Sequence, residues 1–191
     1  MHRISGLQLV VVAALFFFSF FAVPGTVSAS IKVAIIPYIN SSAEERSVVG
    51  ETINKKLDDY FQKNARYSIV PPELVNLVLA RHGYDAAQMI LPEKEFMMTL
   101  ANDLDADAVL ALDFTRIQAY RRYTIITSTT IGSVSVYAKA LSVYDSHFVS
   151  LRVEKQARLT TYSIGPGFRE KEAIAASIEQ AMDELFRRLP F

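Results

Sequence analysis

Residues 134–159, VSVYAKALSVYDSHFVSLRVEKQARL, decide the fold. In the second half, Val149, Leu151, Val153, Ala157 and Leu159 alternate with Ser150, Arg152, Glu154, Gln156 and Arg158. Successive side chains of a strand point to opposite faces. A period of two therefore predicts one buried and one wetted face, interrupted here only by Lys155. In the first half, Val134, Val136, Ala138 and Ala140 keep one phase, and Leu141 and Val143 take the other. Either a bulge re-aims the strand there or both of its faces are covered. Asp145-Ser146-His147, between the halves, is short and polar, as a turn requires. The pattern predicts a hairpin of two long strands, with the rest of the chain arranged to cover it.

Working back toward the amino terminus, Ala108–Phe114 reads as a buried strand that continues more weakly to Ala119. Tyr120-Arg121-Arg122-Tyr123 reads as a turn or exposed strand end, and the Ser/Thr-rich Thr124–Thr130 as an edge or projecting hairpin tip, with a kink at Gly132. Ile31–Pro37 is a β-branched apolar run suited to an interior strand. Ser42 with Glu45, and Ser41 with Glu44, have the capping-box spacing. The helix that follows carries Val49, Ile53, Leu57, Tyr60 and Phe61 on one face. Tyr67–Val70 is a second short strand, stopped by Pro71-Pro72. Pro72 opens a helix bearing Leu74, Leu77 and Val78, which Gly83 closes. A further helix after Pro92 buries Phe96, Leu100 and Leu104. Beyond the hairpin, Gly165-Pro166-Gly167 breaks the strand, and a last helix aligns Ile174, Ile178, Met182, Leu185, Phe186 and Leu189. The expected fold class is α/β (α+β): three layers, a mixed sheet of about five strands, and the order β-α-β-α-α-β-β-β-α.

Met1–Ala29 has the three parts of a secretory signal: Arg3, the apolar run Leu9–Val23, and small residues Val27-Ser28-Ala29 after Pro24-Gly25. The apolar run is shorter than the about 20 residues of a spanning helix. A cleaved signal is the reading, followed by one domain over residues 30–191; an uncleaved signal anchor is the alternative. The protein is then exported, to the periplasm or cell envelope. The 191 residues carry 20 basic and 20 acidic side chains, so no strong field gathers nucleic acid or an anionic bilayer. With no cysteine, there is no disulfide, thiol nucleophile, Cys-ligated metal or amino-terminal lipid attachment.

Side chains able to carry chemistry are few. His2 lies in the signal, while His82 and His147 fall on separate elements without metal-ligand spacing. Asp103, Asp105 and Asp107 imitate the start of a calcium loop, but Ala108 stands where Gly is needed and Phe114 where a bidentate Glu is needed. Asp113, inside the run Ala111–Phe114, would need donors or a raised pKa if buried. Arg121 and Arg122 between Tyr120 and Tyr123 suit a guard against sheet-to-sheet pairing. No catalytic, cofactor-binding or metal residue is assigned, and no cofactor is expected.

The segments Lys32–Ser42 (KVAIIPYINSS), Tyr67–Pro72 (YSIVPP), Leu104–Leu110 (LDADAVL) and Val136–Asp145 (VYAKALSVYD) resemble the TolB amino-terminal-domain-like group. That group includes the CsgG-like secretion-channel proteins and the LpoB-type activators of peptidoglycan synthases. The resemblance spans roughly residues 31–186 and implies a three-layer domain of the bacterial envelope acting through protein contacts, with an envelope protein or a second copy as partner. It brings no functional residue. Two alternatives remain: an exported enzyme or small-ligand binder with a pocket near Asp113, and a protein that touches the membrane only through an uncleaved signal.

Overall fold

The computed structural model describes residues 30–42, 44–125, 127–162 and 169–191. The signal-like segment and Gly165-Pro166-Gly167 lie outside them. The elements are β1 (Ile31–Ile35), α1 (Ser47–Leu57), β2 (Tyr67–Ile69), α2 (Pro72–Arg81), α3 (Lys94–Leu104), β3 (Ala108–Tyr123), β4 (Ser128–Ser142), β5 (His147–Thr161) and α4 (Glu170–Phe186). They form one five-stranded mixed sheet in the order β2-β1-β3-β4-β5. β1 runs parallel to β2 and β3, and β3, β4 and β5 pair antiparallel. Because β2 and β3 lie on opposite sides of β1, crossovers of one hand carry α1 over one face and α2 with α3 over the other. No described helix is long and apolar enough to cross a membrane.

Two cores result. Under α1 and α4 lie Val33, Leu110, Leu112, Phe114, Val136 and Ala138, packed with Ile53, Ile174, Ile178 and Met182. Under α2 and α3 lie Ala34, Ile36, Val109, Ala111 and Leu141, packed with Val75, Met97 and Leu100. The change of phase at Leu141 thus reflects two covered faces. The β4–β5 register runs unbroken from Ser128↔Thr161 to Ser142↔His147. The bulge falls instead on β3, between Phe114 and Arg116, where Thr115 is the extra residue and donates its hydroxyl to Ser135 O at 3.3 Å. It reverses the alternation, so Phe114 and Ile117 both face α4 and are both buried. The apolar run weakens after Phe114 for that reason, yet the strand continues to Tyr123.

Lys155, the break in β5's alternation, is in register with buried Val134 and therefore faces α4, where its ammonium meets Glu184 at 3.6 Å. Gly132 makes no kink: β4 passes straight through it. A Cβ there would stand 2.0 Å from the Ala173 carbonyl oxygen, so glycine is what lets the first turn of α4 touch the sheet.

Helix α1 begins at Ser47, later than the capping-box spacing suggests. Ser42 Oγ instead donates to Asn40 Oδ1 (2.6 Å) and accepts the Glu44 N–H (3.2 Å), shaping a turn ahead of the helix. The helix widens into a π turn at Asp58–Gln62, which carries Tyr60 and buried Phe61 onto the aromatic cluster with Tyr67 and Phe186. Burial and the Tyr67 hydroxyl push the Tyr60 phenol up to about 12. In α2 the stripe against the sheet is Val75, Val78 and Leu79. Of the three apolar residues that the sequence pattern singles out here, Val78 is buried, while Leu74 and Leu77 sit one residue, about 100°, around the helix and are 50% and 58% exposed. In α3, Met97, Leu100, Ala101 and Leu104 are buried, and Phe96 is only half-buried beside Tyr84.

Candidate functional site

Strands β3, β4 and β5 outrun the rest of the sheet. At 16, 15 and 15 residues they span about 50 Å, whereas β1 pairs with β3 only over Ala108–Leu110, with one further bridge at Ile39↔Asp113. Beyond the bulge the three strands form an arm. On the side away from α4, register builds it in rows: Asp113–Tyr137–Arg152, Arg116–Ser135–Glu154, Gln118–Ser133–Gln156, Tyr120–Ile131–Arg158 and Arg122–Thr129–Thr160. Helices α2 and α3 reach only the root of this face. Four arginines and two tyrosines therefore stand against one exposed carboxylate, Glu154.

These side chains stitch to one another across the pleat. The Arg152 guanidinium lies 5.5 Å from the Tyr137 ring and pairs with Glu154 at 2.6 Å. Arg116 donates twice to Gln118 Oε1, at 3.1 and 2.9 Å. Ile131, between Tyr120 and Arg158, is 3% exposed although no described helix covers it. Long polar side chains can shield an apolar residue with their stems in this way.

At the tip, Thr124 and Thr127 close the turn: the Thr127 N–H donates to Thr124 Oγ1 (2.9 Å), and the Thr124 N–H to Thr127 O (2.8 Å). Arg121 lies 4.6 Å over the Tyr123 ring and donates to Ser128 Oγ. Tyr123 and Ile125 project, with Ile125 91% exposed. Among the described residues no strand pairs with the outer edge of β5 or, beyond Phe114, with the edge of β3 that faces away from β4. Arg121 and Arg122 sit on the latter edge, where a guard is wanted.

The remaining candidates separate. Asp113 is 8% exposed and accepts the Ser41 hydroxyl at 2.8 Å, fastening the chain after β1 alongside β3. Burial, with the nearby Asp113 carboxylate adding to it, raises the Tyr84 phenol. Of the three aspartates of the calcium-like run, Asp103 Oδ2 meets His82 Nε2 at 2.8 Å, Asp107 Oδ2 accepts the Lys32 N–H at 2.8 Å, and Asp105 caps α3 in the left-handed region. Twenty-one positions separate His82 from Asp103, so spacing alone does not reveal that pair. His147 opens β5 instead of sitting in the turn, and its N–H donates to Asp145 Oδ1 at 3.2 Å. A bond from Ser142 holds the Asp145 carboxyl below the usual range.

A groove of about 840 Å³ lies elsewhere, at the carboxyl ends of β1 and β2. It is lined by Ile35–Tyr38, Tyr67–Pro72 and the end of α1 at Asn54, Leu57, Asp58 and Gln62. A smaller cavity of about 180 Å³ lies among Lys56, Asp59, Tyr60, Asp183 and Phe186. Asp113 lines neither, so the pocket expected beside it is not one of these two.

No protein-family model matches the chain, and no curated protein is detectably similar to it. Among solved structures, lipoprotein GNA1162 from Neisseria meningitidis is 17% identical, with a TM-score of 0.42, covering 81% of this chain and 99% of that one. The hypothetical protein CT253 from Chlamydia trachomatis is 14% identical, with a TM-score of 0.48 and 84% and 94% covered. The LpoB C-terminal domain from Escherichia coli is 13% identical, with a TM-score of 0.42 and 72% and 91% covered. Each is a protein this chain is similar to; likeness at this level decides nothing about function.

Proposed function

We propose that residues 30–191 form one exported, non-enzymatic domain of the cell envelope that works by binding another protein, or a second copy of itself, through the arm. The observation that supports this most directly is the basic and aromatic face of β3–β5 that no described helix covers, ending in Tyr123 and Ile125. Arginine and tyrosine are the side chains that contribute most per residue at protein interfaces, because each offers large contact area and directed donors. The excess of arginine favours an acidic partner surface, which steers association and makes it sensitive to salt. Export rests on the signal-like Met1–Ala29.

The test is photocrosslinking in cells with a benzophenone amino acid placed at Gln118, Tyr120 or Arg158 on the bare face, at Ile125 on the tip, and at Glu51 on α1 as control. The reading expects adducts from the arm and none from Glu51. The adduct mass distinguishes a foreign partner from a second copy. Adducts from no arm position, or equal yield at Glu51, overturn it. Reversing Arg116, Arg122 and Arg158 to Glu is expected to abolish the adducts while the thermal melt stays within a few degrees.

A further inference from the structure

The groove at β2 lies at the opposite margin of the sheet from β5, and its backbone decides what fits there. In the β1–β2 ladder the Ile31 N–H donates to Arg66 O (2.8 Å) and the Val70 N–H to Val33 O (2.9 Å), with Ile31 opposite Tyr67 and Val33 opposite Ile69. Residues 66, 68 and 70 therefore turn their polar groups toward β1, while Tyr67 and Ile69 turn theirs away. The Tyr67 N–H is taken by the Asn64 carbonyl at 2.9 Å. The N–H and C=O of Ile69 face outward, on the side where no described strand lies, and Ile69 lines the groove. On β1 the ladder also stops short. Ile35 is the next residue whose carbonyl points to the β2 side, and the position in register to donate to it is Pro72, which has no N–H.

The two margins of the sheet are treated differently. β5 carries Arg152, Glu154, Lys155 and Arg158, charges that discourage an added strand. β2 is Tyr67-Ser68-Ile69, with no charge at all. The groove beside it combines apolar walls (Tyr38, Leu57, Tyr67, Pro71) with the side-chain amides of Asn54 and Gln62. Asp58 is the one acidic side chain among its lining residues; no lysine, arginine or histidine lines it. An anionic ligand finds no counter-charge there, whereas a chain with backbone donors and acceptors, apolar side chains and neutral or positive charge matches every feature.

We propose that this groove binds an extended, neutral or basic peptide segment, which adds as a further strand beside β2 by exchanging hydrogen bonds with Ile69. One peptide N–H donates to Ile69 O and one peptide C=O accepts from Ile69 N–H. The neighbouring side chains enter the apolar space between α1 and the β2 end. This site is separate from the arm, and either reading can fail without the other.

The test starts from a random decapeptide library displayed on phage and selected against the purified protein, with the enriched peptides measured by fluorescence anisotropy. The enriched set is expected to be poor in Asp and Glu. Ile69→Pro removes the outward N–H and leaves the bonds to β1 in place, since proline is tolerated on an edge strand. It is expected to weaken binding tenfold or more, while Ile69→Val, which keeps the N–H, stays within twofold. Asp58→Lys, on an exposed position, is expected to weaken basic peptides most. N-methylation walked along the best peptide supplies the same information without altering the protein: one backbone position is expected to lose tenfold or more. Overturning results are no enriched peptide, equal binding to Ile69→Pro and the unaltered protein, or no sensitivity to N-methylation anywhere in the peptide.

Discussion

The two halves of the sheet differ in what they leave uncovered. In the parallel half, β1 has five residues and β2 three, helices lie over both faces, and Val33 and Ala34 on opposite faces are each inaccessible. In the antiparallel half the strands are at least three times as long; beyond the root that α2 and α3 cover, described helices pack only the α4 side, and Arg, Tyr and Gln of β3 and β5 flank the other. Short parallel strands must be sandwiched because their crossover helices come with them. An antiparallel ribbon, joined by tight turns, is free to run past the helices. The body thus supplies stability and the arm supplies surface, and mutations should separate the two.

Phe114 at the root of the arm, fully buried against Tyr38 and the α4 helix, should give the largest effect. Phe114→Ala is expected to lose about 3–5 kcal/mol in urea denaturation. Gly132→Ala comes next: the methyl cannot fit under the Ala173 carbonyl, α4 must lift, and about 1–3 kcal/mol is lost, with a matching drop in melting temperature. Asp113→Ala leaves the Ser41 hydroxyl without its acceptor and is expected to cost about 1–3 kcal/mol. Hydrogen exchange should report it at Ile39 and Phe114, whose N–H groups hold this loop to β3.

Tyr60 gives a smaller effect, visible only in alkali. Its folded pKa, about 12, lies above the ordinary phenol value of 10. Its contribution is therefore complete below pH 10 and is lost as pH rises through about 12, because the unfolded chain ionises first. Tyr60→Phe should flatten that part of the stability profile and leave neutral pH little changed. Smallest is the tip: Ile125→Ser should stay within about 0.5 kcal/mol of the unaltered protein, while removing the crosslinks expected from the arm. A large loss of stability there would mean that the tip belongs to the body after all.

Element order and the paired faces of β4 and β5 were legible because burial writes its period directly into the residues. The α4 stripe from Ile174 to Leu189 was legible for the same reason. Three features were not. The β3 bulge hides in Phe114-Thr115-Arg116, since an added residue looks like the end of a strand when only alternation is counted. Gly132 resembled a kink because its partner, the Ala173 carbonyl, is forty-one positions away. Leu74 and Leu77 could not be told from buried Val78 because composition does not say which side of a short helix meets the sheet. The candidate surfaces were legible only in part. Tyr120–Tyr123 and the tip stood out, but the rows that join Arg116 to Glu154 and Tyr120 to Arg158 exist only once register is fixed. The groove was silent, because its most informative groups are the main-chain atoms of Ile69 and the missing N–H of Pro72.

Thr115 sets the rule by which such an arm can change. Past it, each strand repeats every two residues, so adding two residues to each strand lengthens the reach by about 7 Å and keeps the same side chains outward. Adding or deleting a single residue on β3 transposes the pattern, sending Arg116, Gln118 and Tyr120 under the helix and Ile117 and Ala119 into water. Descendants of this sequence can therefore grow the arm only in even increments, or by a matched second bulge that restores the frame.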